Sequence, residues 1–259
     1  MHHKIHKSLL YIPLIAILAG CSPSIKLTRT TEQISVGKKR GTTYERTYAQ
    51  GIQDISKLEA TVQEDEWIWN NTEWIDISNT EDKDSVTTDL GYVNKILEEK
   101  GTNIRYIEIH NHKTGKWPSP PSTQDYWSSL LMQVDLEKYN ITSQVVDSSG
   151  VWTFQWKKMP EIYPELKRLY HRRANDKDFN KIIAYRDSLV EKMDSMFDAS
   201  EGFNDEMIRS CIEETSNNVE GVKIVYNFVV QRKYKIMKEI LEEIGIELKY
   251  TPLSEIIHE

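Results

Sequence analysis

Apolar positions change period several times along this chain, and each change marks an element. Between 104 and 110 they alternate: Ile104, Tyr106, Glu108 and His110 face one way, Arg105, Ile107 and Ile109 the other. Period two over this length predicts a half-buried strand. The spacing of Val86, Leu90, Val93 and Leu97 predicts a helix over 85–99, with Gly101 placed to end it. Short apolar runs at 67–69 and 74–77, split by Asn70-Asn71, read as strands around a turn. A helix is expected over 44–58 and another over 126–139, starting from the Ser122 turn, with Leu130, Leu131, Val134 and Leu136 as its apolar content. Strands are expected at 141–146 and 151–156, around Asp147-Ser148-Ser149-Gly150. Helices and strands therefore alternate over 44–158, which predicts an α/β arrangement.

Beyond Pro160 the pattern shifts. Charged, helix-prone segments cover 161–197 and 204–214 without strand alternation. A long apolar stripe follows, from Ile224 and Val225 through Phe228, Val229, Ile236, Met237, Ile240 and Leu241 to Ile244. Gly245 should end that helix, with a last strand over 246–250. Residues 159–259 are thus expected to be mainly helical.

The other end looks like a targeting segment. Residues 1–20 carry Lys4 and Lys7, no acid, and an apolar run of about a dozen residues, short for a bilayer span. They close on Leu18-Ala19-Gly20-Cys21, which resembles the lipobox of bacterial lipoproteins. That resemblance implies cleavage before Cys21, acylation of its thiol, and attachment to a membrane of the cell envelope through lipid. Residues 21–43, rich in Thr, Ser and Lys, then read as a tether. The one other cysteine, Cys211, leaves no internal disulfide after such anchoring, so stability must come from a core. Seven tryptophans and thirteen tyrosines are enough aromatic mass to build one. The formal charge is -7, and no basic patch interleaves with aromatics, so nucleic acid is a poor partner.

Chemistry concentrates in one stretch. His110-Asn111-His112 stands at the end of the 104–110 strand, and after nine intervening residues comes Ser122-Thr123-Gln124-Asp125. Three of the seven histidines lie in the first six residues, so half of the remaining four sit in this tripeptide. Two apart on a strand, His110 and His112 can aim at one ion. Three apart at a helix start, Ser122 and Asp125 can share a face. Two imidazoles and a carboxylate leave a fourth position of a zinc ion for water. Either half alone has a plainer meaning: an incidental pair of histidines, or a helix cap.

The conjunction resembles the JAMM motif of the JAB1/MPN/Mov34 metalloprotease family, in its prokaryotic JAB-domain form. That family runs Glu, then His-x-His, then seven to ten residues, then Ser-x-x-Asp. The resemblance covers roughly 44–158 and implies a layered, cytidine-deaminase-like domain with a mixed sheet flanked by helices. It also implies a zinc metallopeptidase that cleaves a peptide or isopeptide bond of a peptide or protein substrate through a zinc-activated water. His110, His112 and Asp125 would be the metal ligands, and Ser122 would bond the developing oxyanion. The general base would be a glutamate well upstream: Glu66 first, since it precedes Trp67-Ile68-Trp69, then Glu64, with Glu59 and Glu73 behind them. Lys113 departs from the family, which commonly has proline after the second histidine.

Two rivals belong to other classes. One is a non-catalytic envelope lipoprotein that keeps the fold as a scaffold for partners. The other is a metal-storing lipoprotein, against which the lack of any His-rich tract argues. Other tempting residues have structural readings: His171 on a charged helix reads as exposed, His258 as terminal, Cys211 as a buried thiol. Trp67, Trp69 and Trp74 can line a groove or fill a core.

Overall fold

The computed structural model describes residues 27–35, 40–58, 65–78, 89–101, 105–112, 120–200 and 219–256, with the backbone alone for 196–200, 219–227 and 229. Cys21, Glu59, Glu64, Lys113, Cys211, His258 and the helix expected over 204–214 lie outside the described residues.

The strands are β1 (Thr28–Thr30), β2 (Thr42–Tyr44), β3 (Glu66–Trp69), β4 (Trp74–Asp76), β5 (Arg105–Asn111), β6 (Asn140–Val146), β7 (Gly150–Trp156) and β8 (Ile246–Pro252). They form one sheet in the order β1-β2-β4-β3-β5-β6-β7-β8. Pairing is parallel for β1–β2 and β5–β6 and antiparallel elsewhere, so the sheet is mixed. The helices are α1 (Tyr48–Ser56), α2 (Leu90–Lys100), α3 (Thr123–Asp135), α4 (Tyr163–Tyr170), α5 (Asp176–Ser200), α6 (Val219–Glu243) and α7 (Leu253–Ile256). The class is α/β, as the alternation over 44–158 predicts. No helix among the described residues is long and apolar enough to cross a membrane.

Strand alternation sorts the core into layers. Ile68, Ile75, Tyr106 and Ile141 meet Leu90, Val93, Ile96 and Leu97 of α2 and Met132 of α3 on one face. Farther along that face, Val145, Trp152, Phe154 and Leu248 pack against α3, α4, α5 and α6. The opposite face carries Trp67, Trp69, Trp74, Ile109 and Val151 against Ile52 and Ile55 of α1 and Ile256 of α7. The three tryptophans are therefore core residues.

Several boundaries differ from the sequence pattern, each for a local reason. The helix expected from 44 starts at Tyr48, because Tyr44 is fully buried in β2 opposite Trp74 and Thr47 forms a capping box with Gln50. The helix expected over 126–139 from the Ser122 turn has Ser122 as its N-cap, and it stops earlier, closed at Leu136. The segment 161–197 is two helices, broken where Arg172 takes φ 55° and the Asn175 side chain accepts the N–H groups of Lys177 and Asp178. The stretch expected to be a tether contributes β1 and β2 to the sheet and buries Ile34, because its threonines and Tyr44 extend a sheet edge. At the other end, β8 pairs with β7 along seven residues, so one sheet holds strands from both sides of 158.

Candidate metal centre

The site lies where β5 ends and α3 begins. The alternation of β5 sends Glu108 and His110 to the face covered by α2 and α3, both of them buried. His112 follows the last strand residue, and its N–H still donates to the carbonyl of Val146 on β6 (3.1 Å). The chain then returns to place Ser122 as the N-cap of α3. Ser122 Oγ accepts the N–H of Asp125 (3.3 Å), and Asp125 Oδ2 accepts the N–H of Ser122 (2.5 Å).

Ser-x-x-Asp is thus a capping box, and the same box aims the carboxylate at the histidines. Asp125 Oδ1 lies 3.3 Å from His110 Nε2, and Oδ2 lies 3.1 Å from His112 Nε2. One ligand atom from each of the three residues falls within 4.8 Å of the others. His110 Nε2 is buried and makes no aligned hydrogen bond, although Asp125 is close. A group of two buried imidazoles and a carboxylate this close together can hold a metal ion.

Electrostatics agree with the distances. Burial would raise the Asp125 carboxyl, but the adjacent His110 and His112 hold it well below the usual carboxylate range. Burial would lower His110, but Asp125 and Glu108 hold it well above the usual histidine value. A metal ion bound there would compete with protons for the imidazole nitrogens, so affinity should fall with acidity.

Of the glutamates singled out, Glu66 and Glu73 lie among the described residues, and they stand apart. Glu66 stands directly opposite His110 in the antiparallel β3–β5 register, buried and on the same face. Opposed Cβ atoms in such pairs are about 5 Å apart. Its backbone is clamped: Glu66 N–H donates to Ser78 Oγ (2.9 Å), and its carbonyl accepts the N–H of Ile77 (2.9 Å). Next to it, the N–H of Asp65 donates to Asn111 Oδ1 (2.8 Å), tying this end of β3 to the residue between the histidines. Glu73 is not near the histidines. It lies at the far end of β3 in the β3–β4 turn, paired with Lys100 and near Asn70. His171 is exposed, as its charged surroundings predict.

Sequence reasoning missed Glu108, whose Oε1 lies 3.0 Å from His110 Nδ1. Its signal was present: two residues before His110 on the same strand face. Asn111 and Ser78 were missed too, and no pattern in the chain announces them. Set beside known proteins, the chain matches no family model, no curated protein and no solved structure.

Proposed function

We propose that this protein is a zinc-dependent hydrolase of peptide or isopeptide bonds, built on a JAB-type domain. The convergence of His110, His112 and Asp125 on one point carries this reading. Two histidines and one carboxylate are the ligand set of several catalytic zinc centres, which keep a position open. Zinc held there would supply a Lewis acid and a water that is nucleophilic near neutral pH.

The chain's own residues account for the remaining roles. Glu66, opposite His110, would take the proton from the attacking water and return it to the leaving amine as the C–N bond breaks. Ser122 is exposed at the N-terminus of α3, and accepting the Asp125 N–H leaves its own O–H to donate to the oxyanion. A peptide or protein tail is the substrate class. The proposed location is the cell envelope, through lipid on Cys21.

Metal analysis of the chain purified without chelator tests the site, alongside His112→Ala. About one zinc per chain, lost in the variant, is the expected result. Zinc retained by the variant would sink the ligand assignment. The same donor types also hold ferrous iron in oxygenases, so stoichiometric iron would overturn the hydrolytic reading. Peptide hydrolysis by the zinc form should fall at least about 100-fold in Glu66→Gln, in line with loss of a general base, while zinc content stays intact. A zinc-loaded chain without turnover on any peptide would favour the scaffold.

A further inference from the structure

Glu108 is buried to 5 % exposure on β5, a costly place for a carboxylate unless something holds it. Its Oε1 lies 3.0 Å from Nδ1 of His110. A neutral imidazole carries one N–H, and which nitrogen bears it is set by the partner of the other. An acceptor at Nδ1 keeps the proton there and leaves the Nε2 lone pair bare. Nε2 is the nitrogen that faces Asp125 and shares its neighbourhood with His112 Nε2.

The contact also fixes the ring. Residues i and i+2 on a strand stand about 6.5 Å apart along one face. A glutamate spanning that gap meets the imidazole in one orientation, with Nε2 turned away toward α3. Glu108 thus lies on the side of the ring away from Asp125, with the imidazole held between the two carboxyl groups.

We propose that Glu108 is a positioning residue of the metal centre, holding the Nδ1–H of His110 so that Nε2 is committed to the ion. The inference rests on the metal-site reading above and adds a residue outside the ligand set. Carboxylate–histidine–metal arrangements raise ligand basicity and lock orientation, and losing the outer carboxylate typically weakens metal binding about 10- to 100-fold.

The test compares Glu108→Ala and Glu108→Gln with the parent chain. Zinc affinity is read by competition with a chromophoric chelator, and the His110 tautomer by 15N NMR of the metal-free protein at alkaline pH. The alanine variant should bind zinc about 10- to 100-fold more weakly and show a mixed tautomer. Glutamine keeps an acceptor without the charge, so it should retain the Nδ1–H form and lose less affinity, roughly 3- to 10-fold. Should the alanine variant fail to fold, the glutamine variant decides, with thermal melting of the metal-free form as its control. Parent-like zinc affinity in the folded variants, or an Nε2–H tautomer in the parent, would overturn the role of Glu108 alone. A parent chain that binds no zinc would overturn the metal site and this inference together.

Discussion

Burial raises the Asp76 carboxyl to about 7, reinforced by nearby Asp65 and opposed by hydrogen bonds from Ser78. Asp76 is 1 % exposed, and its Oδ1 accepts the N–H of Ser78, whose Oγ in turn braces the backbone of Glu66. The group thus holds its proton in the folded chain at pH values where the unfolded chain has released it. Between about pH 4 and pH 7 the folded state binds more protons, so this residue's contribution to stability declines as pH rises and levels off above 7. Asp76→Asn keeps the acceptor and removes the titration. From pH 5 to pH 8 the variant should gain on the parent by on the order of 3 kcal/mol, read from urea midpoints of metal-free protein. An unchanged difference at the two pH values would remove Asp76 as the source. Nothing in the sequence marks this aspartate, because its environment comes from β4 lying between β2 and β3.

Among the elements, β5 and α3 were legible and the paired motifs anticipated their meeting; the strand that joins them there was not. Alternation identified the strand and the face of Glu108 and His110, because a period of two is a local property of the backbone. The Ser122 cap was legible for the same reason. Which glutamate joins them depended on the β3–β5 register, which places Glu66 opposite His110 and sends Glu73 to the opposite end of its strand. The helix α1 shows how packing overrides a local preference. Gly51 is in a helix interior, where alanine would ordinarily gain about 1 kcal/mol. Here a Cβ would lie 2.1 Å from the ring of Trp74, which is fully buried and donates its Nε1–H to the Thr47 carbonyl. Gly51→Ala should therefore destabilise the chain by about 1–3 kcal/mol, seen as a lower thermal midpoint. A raised midpoint would mean that α1 can shift away from the tryptophan.

At the scale of the molecule, the sheet joins segments that composition separates. Ile246 and Leu248 of β8 are buried among α3, α4, α5 and α6, and β8 covers the edge that β7 would otherwise expose. Thr123 Oγ1 also donates to Asp194 Oδ1, linking the start of α3 to α5 (3.0 Å). A fragment of residues 44–158 would leave β7 as an open edge and strip the cover from Trp152 and Phe154. It should aggregate or melt without cooperativity, checked by solubility and calorimetry. A soluble fragment with a sharp transition would show that the helical part is dispensable to the fold.

What the sequence by itself determined is whatever local chemistry settles: the α/β alternation, the strand that carries His110, the capping box at Ser122, and the pairing of His-x-His with Ser-x-x-Asp as a metal-binding signal. Periodicity and capping act over three or four residues, so they can be read from the chain. Only the tertiary structure decided that Asp125 meets both histidines, that Glu66 faces His110, that Glu108 holds its far nitrogen, and that residues near 28 and 250 share a sheet. Those outcomes depend on strand register and on which helix covers which face, and both are set by burying one common core rather than by any single segment.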